Sequence, residues 1–203
     1  MPPIKVSQWL RGLTGDFSTG LRKEFERIYG SDEKVVEERR NTYVKALNQF
    51  GKICGFNAEV LISRAPGRVN VMGRHVDYMG GFVNPMATDT EIIALIQARD
   101  DDQVLLHNMD PEFKAKSFRI GDELPEEKIR DLNHWDHWTA KKFRGKEARG
   151  ETFDWDEYVK GLVVYLQDYY RRLDGSFTKR IKGMNLLLGS NLPPRRGLSS
   201  SSA

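Results

Sequence analysis

Between Ser63 and Thr90 the chain reads SRAPGRVNVMGRHVDYMGGFVNPMATDT. Four glycines (Gly67, Gly73, Gly80 and Gly81) fall within fifteen residues, around Arg68, His75 and Asp77. Glycines let a backbone approach a ligand closely and adopt dihedrals that other residues avoid. An aspartate can accept two hydroxyl donors at once, and a histidine adds one more polar contact. An arginine can hold negative charge near a transferring phosphoryl group. A fold has little need of this set around a strand break, whereas a polyhydroxylated ligand beside a phosphate does.

A second stretch, GSNLPPRRGLSSSSA at residues 189–203, carries different chemistry. A strand, a Pro/Gly loop and a helix start bearing hydroxyls form a recurring phosphate layout. The first turn of a helix has unpaired N–H groups and a partial positive end, so it stabilises an anion. Serine hydroxyls add donors, or a ligand for Mg²⁺ riding on phosphates. The candidates are Gly197, Leu198, Ser199, Ser200 and Ser201, with Arg195 and Arg196 adding full positive charge. No Gly-Lys-Ser/Thr is present, so this is not the Walker A pattern. Read alone, the same serines also suit a helix cap or a flexible tail.

The elements that must position these residues follow from periodicity. Residues 20–51 read as helical. Ser31 or Asp32 can cap, Val35, Val36, Tyr43, Val44, Leu47 and Phe50 fall near one face, and Gly51 ends the run. We read residues 1–55 as an N-terminal helical extension lying against a domain of residues 56–203. AEVLISRAPG (58–67) reads as a strand breaking at Pro66-Gly67. EIIALIQARD (91–100), QVLLHNM (103–109) and SFRIG (117–121) suggest an antiparallel meander, because their connections are too short for crossover helices. Residues 122–152 read as polar and irregular. DWDEYVKGLVVYLQDYYRRL (154–173) has the length and period of a helix, with Tyr158, Leu162, Tyr165, Leu166 and Tyr169 as its buried stripe. IKGMNLLLGS (181–190) reads as a strand, and a helix is expected to begin near Gly197.

Composition narrows the class. The 203 residues are 39% hydrophobic and 30% charged, which suits a globular domain rather than a disordered chain. The 32 basic and 29 acidic residues nearly balance, giving no general reason to expect nucleic acid. No stretch of about 18 apolar residues predicts a membrane span. The N-terminus MPPIKVSQWLRG lacks a signal-peptide core. Cys54 is the sole cysteine and reads as a buried small hydrophobe in a reducing compartment, so the expected location is cytoplasmic. His134 and His137 have a spacing open to metal, but no third ligand is evident and they read as polar surface residues. The basic run Lys141, Lys142, Arg144, Lys146 and Arg149 reads as solvated.

Together the two glycine-rich stretches resemble the GHMP kinases, and within them the galactokinases. Residues 65–87 are similar to A-P-G-R-V-N-L-I-G-E-H-T-D-Y-N-G-G-F followed by an apolar residue, Pro, Met and Ala. Residues 193–203 match the second half of P-x-G-x-G-L-S-S-S-A, and DWDEYVKGLVVYL resembles the W-x-x-Y-V-x-G helix. The resemblance covers about residues 58–203.

It implies an α+β fold: the N-terminal domain of the GHMP kinases, with a mixed or antiparallel sheet and packed helices. It implies transfer of the γ-phosphoryl of ATP, with Mg²⁺, to the anomeric hydroxyl of galactose or a related sugar. Arg68 would lie near the reacting oxygen and the catalytic base. His75 and Asp77 would bind sugar hydroxyls, Tyr78 would shape that pocket, residues 195–201 would wrap the phosphates, and Ser200 would approach Mg²⁺. The family's C-terminal half, with its aspartate base and third glycine-rich motif, is expected to follow the matched region, so the chain reads as an inactive N-terminal fragment. Two departures stand out. Arg74 replaces a glutamate associated with the sugar's hydroxymethyl end, and Arg195 replaces a loop glycine. The rival readings are a kinase for a uronic acid such as galacturonate, another GHMP kinase acting on a non-sugar alcohol, and a non-catalytic sugar and nucleotide sensor on the same fold. No nucleic-acid or membrane partner is expected.

Overall fold

The computed structural model describes residues 2–15, 17–73, 76 and 79–192. In chain order the elements are β1 (Ile4–Lys5), α1 (Val6–Thr14), α2 (Thr19–Tyr29), α3 (Glu33–Cys54), β2 (Glu59–Met72), β3 (Asn84–Ala98), β4 (Gln103–Asn108) and β5 (Lys116–Arg119). They continue with α4 (Ile120–Glu123), α5 (Leu132–Ala148), α6 (Asp156–Tyr169) and β6 (Met184–Ser190). The six strands among the described residues form one mixed sheet in the order β1-β2-β3-β6-β4-β5. The fold is α+β, as expected.

The described residues group into two compact units. One holds the residues up to Gln97 with His107–Glu112 and the chain from Leu186; the other holds Ala98–Leu106 and Phe113–Asn185.

The first unit is built on α3. Asp32 caps it by accepting from Lys34 N at 2.9 Å and Val35 N at 3.4 Å. Val36, Tyr43, Leu47 and Phe50 recur at helical spacing on its buried face. They pack with Val6, Leu13 and Phe25 of the preceding helices and with Val60, Ile93, Leu95 and Leu187 of the sheet. The expected single helix over 20–51 is two helices. Gly30, at φ 83°, breaks the run in a conformation that disfavours a side chain. Gly51 does not end α3; it is buried within it, and the helix closes at Gly55. Cys54 is half-buried rather than buried.

β2 and β3 form a long antiparallel ladder, Leu61 opposite Ile96 through Met72 opposite Asn84. The meander expectation is corrected here. β5 pairs antiparallel with β4, from Gln103 opposite Arg119 to Leu106 opposite Lys116, but β3 and β4 are not neighbours, because β6 runs between them. Asn191 N donates to Glu91 O at 3.2 Å and Arg99 N to Gly183 O at 2.9 Å, an antiparallel sense for β3 and β6. Met109 N donates to Leu188 O at 2.8 Å and Gly183 N to Asp101 O at 2.6 Å, a parallel sense for β6 and β4. The last strand among the described residues thus fills a central position, which no local pattern encodes.

The second unit departs most from expectation. Residues 132–148, read as irregular, form α5, capped by Asp131 accepting from His134 N at 2.8 Å. No residue of α5 is buried, so the apolar period that marks most helices is absent. In α6 the buried face is Val163, Val164, Gln167 and Asp168, whereas Tyr158, Leu162, Tyr165, Leu166 and Tyr169 are exposed. Asp156 is buried at the start of the helix, and the other two buried polar side chains satisfy loop backbone. Asp168 accepts from Ile129 N at 3.1 Å, and Gln167 donates to Lys179 O at 3.0 Å and accepts from Ile181 N at 2.7 Å. Those bonds turn the polar side inward and leave the tyrosines outside.

Candidate functional site

The glycine-rich motif sits at the turn of the β2–β3 ladder. The strand does not end at Pro66-Gly67, as the sequence suggests. It continues to Met72 through a register shift between Pro66 and Arg68, which re-aims the side chains that follow. Gly67 is buried there, and a Cβ on it would collide with Leu192 and with the hydroxyl of Thr88 and crowd that of Thr90. This glycine is required by close approach. Arg68, one residue on, pairs opposite Ala87 and is exposed. At the turn itself Gly73 has φ 83°, and Val76 O accepts from Met79 N at 3.1 Å and Gly81 N at 2.8 Å. Phe82 and Met79 beside it are largely exposed. Arg74, His75, Asp77 and Tyr78 lie outside the described residues. So do Arg195, Arg196, Gly197, Leu198, Ser199, Ser200, Ser201 and the helix expected from Gly197.

The approach to that second segment is described, and it meets β2 and β3. Leu192 lies over Gly67, and Asn191 is held on both sides of Glu91: its Oδ1 accepts from Glu91 N at 2.8 Å while its N–H donates to Glu91 O. Glu91 itself is 3% exposed and carries two charge-strengthened contacts. Arg64 Nε donates to one carboxylate oxygen at 2.6 Å, and Tyr29 Oη donates to the other at 2.6 Å. Tyr29 Oη also lies 2.9 Å from Tyr43 Oη. Burial and the bond to Glu91 hold the Tyr29 phenol far above its usual range, and burial raises Tyr43 as well. Burial pulls the Arg64 guanidinium down, but Glu91 outweighs it and the net shift is upward.

Sequence reading missed this cluster. The one signal was a carboxylate opening the apolar run EIIALI, where a strand face must bury it or expose its neighbours.

The secondary candidates carry less. His134 and His137 lie on α5, and no group of three metal-ligating side chains occurs among the described residues. Lys142 and Lys146 of the basic run are engaged with Glu123 and Glu157 rather than facing a ligand. No helix among the described residues is long and apolar enough to cross a membrane.

Residues 48–98 match the galactokinase galactose-binding signature, a span that covers the end of α3, β2, the turn and β3. The chain is 31% identical to the galactokinase of Schizosaccharomyces pombe over 172 residues, 82% of this chain and 29% of that protein. It is 36% identical to the galactokinase of Limosilactobacillus fermentum over 139 residues, 68% of this chain and 28% of that protein. A crystal structure of Lactococcus lactis galactokinase complexed with galactose superposes with a TM-score of 0.52 at 28% identity, covering 75% of this chain and 32% of that one. The chain is similar to the N-terminal part of a galactokinase. It shares the GHMP-kinase N-terminal fold, and it spans under a third of the length of these two curated galactokinases. Within this galactokinase-like segment, Arg68, Gly67 and Gly73 all lie inside the matched signature.

Proposed function

We propose that the protein is an ATP-dependent sugar kinase that phosphorylates the anomeric hydroxyl of galactose or a related sugar. The observation that carries this is the galactose-binding signature over 48–98, centred on the turn that the β2–β3 ladder presents. The meeting of Gly67 with Leu192 supports it, because it brings the strand of Arg68 next to the chain that leads into Arg195–Ser201. In this reading His75 and Asp77 take sugar hydroxyls and Tyr78 shapes their pocket. Residues 195–201 hold the phosphates of ATP by main-chain N–H groups and hydroxyls, Ser200 faces Mg²⁺, and Arg68 holds charge near the reacting oxygen. ATP supplies the phosphoryl group and Mg²⁺ offsets its charge; the chain's own part is positioning. Residues 1–55 act as an extension to this domain, and the setting is cytoplasmic. The catalytic base implied by the resemblance is not among the residues assigned here, so the 203 residues by themselves are expected to bind without turning over.

The test is equilibrium binding of galactose and of a non-hydrolysable ATP analogue with Mg²⁺, followed by a sugar-dependent ADP assay on the full-length protein. Binding of both with turnover supports the kinase. Binding of both without turnover points to a sensor on the same fold, and binding of neither removes the proposal.

One residue favours a second reading of the substrate. Arg74 stands where the galactokinase motif has glutamate, and guanidinium pairs better with a carboxylate than with a neutral hydroxymethyl group. A uronic acid such as galacturonate would then be preferred. Arg74→Glu should lower kcat/KM for the acid sugar by a factor corresponding to roughly 3–5 kcal/mol, the cost of breaking a buried charge pair. Equal losses on galactose, arabinose and galacturonate would leave the neutral sugar as substrate.

A further inference from the structure

Glu91 lies where three elements meet: its side chain reaches α2 and β2, and its backbone reaches the end of β6. Arg64, the β2 partner, is four residues before Arg68. Asn191, the β6 partner, is two residues before Pro193. Tyr29, the α2 partner, is backed by Tyr43 of α3, and the Arg64 guanidinium lies 5.2 Å from the Tyr29 ring centroid. A carboxylate this deeply buried is costly unless each oxygen is matched, and here one faces a cation and the other a phenol. An apolar residue would fill the position at no such cost. What the carboxylate adds is direction, since its bonds have fixed geometry and a methyl group has none.

We infer that Glu91 is a positioning residue that sets the strand carrying Arg68 and the entry to the segment 193–201 in one fixed relation, with Tyr29 as its anchor in the helical layer. The inference depends on the kinase reading only for its ligand measurements. Gly67 supplies the complementary steric half: with no Cβ there, Leu192 can close onto β2. Loss of the carboxylate charge frees Arg64 directly and reaches Asn191 through the Glu91 main chain, whose N–H and C=O hold Asn191 and whose place the side-chain bonds fix, so both segments should loosen together.

Amide hydrogen exchange on the chain reads this directly. Glu91→Gln keeps the shape and removes the charge. It should speed exchange about tenfold at residues 64–68 and at 186–192, while amides of α3 from Val36 to Phe50 keep their rates. Tyr29→Phe, which keeps the packing, should give the same pattern at a few-fold. The double variant Arg64→Gln with Glu91→Gln, a neutral hydrogen-bonding pair, should recover most of the loss. If Glu91→Gln fails to fold, Tyr29→Phe carries the same comparison. A uniform rise across α3 and both segments would mean a core residue without a positioning role, and a rise in one segment alone would break the link; either result overturns the inference. The second arm measures affinity for the Mg²⁺-bound ATP analogue and for galactose, and both should weaken in Glu91→Gln. Wild-type protein that binds neither ligand removes the kinase reading, and the exchange pattern still decides the role of Glu91.

Discussion

The two compact units solve the problem of buried polarity in opposite ways. In the first, Glu91 is taken out of water and held by Arg64 and Tyr29, in a unit whose Phe50, Leu47, Ile93 and Leu95 are almost wholly buried. In the second, α5 buries no residue, and it is tied to its neighbours by Lys142 with Glu123 and Lys146 with Glu157, both partly solvated. Its Trp135 and Trp138 line an open groove of about 300 Å³ with Tyr165 of α6. Close packing transmits geometry, because few side-chain arrangements fit. Solvated pairs hold an element without fixing it tightly. The first unit, which carries the galactose-binding signature, is therefore the one built to keep atoms in register.

The comparison can be broken most directly at glycines. Gly67 has no room for a methyl group, since Leu192, Thr88 and Thr90 already occupy the space. Gly67→Ala should cost about 1–3 kcal/mol, the usual penalty of overpacking a well-filled site. Thermal unfolding followed by circular dichroism measures it. A variant as stable as the parent would mean that Leu192 can move aside and that the seam between β2 and the end of β6 is loose. Gly161 of α6 is the opposite case, exposed in a helix interior with nothing near the added Cβ. Gly161→Ala should stabilise by roughly 0.5–1 kcal/mol, because alanine loses less backbone freedom on folding. Destabilisation there would show that the second unit is tighter than its open groove suggests.

What could be read from the sequence follows the same division. α3 was legible because Asp32 caps it and Val36, Tyr43, Leu47 and Phe50 repeat on one face. The β2 strand and the glycine-rich turn were legible because Gly67 and Gly73 mark backbone positions that only glycine fills comfortably. In the second unit the rule that apolar positions face inward failed. Val163 and Val164 do turn in, but Gln167 and Asp168 go with them to satisfy the backbone of distant loops, and those partners lie 12 to 39 residues away in sequence. α5 was missed because amphipathicity was its only expected signature and it has little. The place of β6 between β3 and β4 was also hidden, since strand order is a property of the sheet and not of any one segment. Of the candidate site, the motif strand was legible while the Glu91 cluster was not, because its partners Tyr29, Arg64 and Asn191 are scattered along the chain.

The smallest expected effect is acid-induced and belongs to the second unit. Burial tends to raise the Glu123 carboxyl, but its bond to Lys142 and the nearby charges of Lys142 and Lys160 outweigh that, and the net shift is below the ordinary value of 4.5. A carboxyl lowered in the folded state stabilises fully above its unfolded value and loses that stabilisation as pH falls through the lower folded one. The pair should therefore be intact at neutral pH and come apart below about pH 4.5, at a cost of only about 0.3–1 kcal/mol, because both partners are partly solvated. Lys142 Nζ lies 5.0 Å from the Trp138 ring centroid, so its release should change tryptophan emission. Titrating fluorescence from pH 7 downward should show a transition with its midpoint below 4.5, weakened by added salt and absent in Glu123→Gln. The aromatic environment of the first unit should not share it, since Tyr29 and Tyr43 stay protonated throughout that range. A midpoint above 4.5, or a transition that survives in Glu123→Gln, would show that α5 is held by its aromatic contacts and not by its ion pairs.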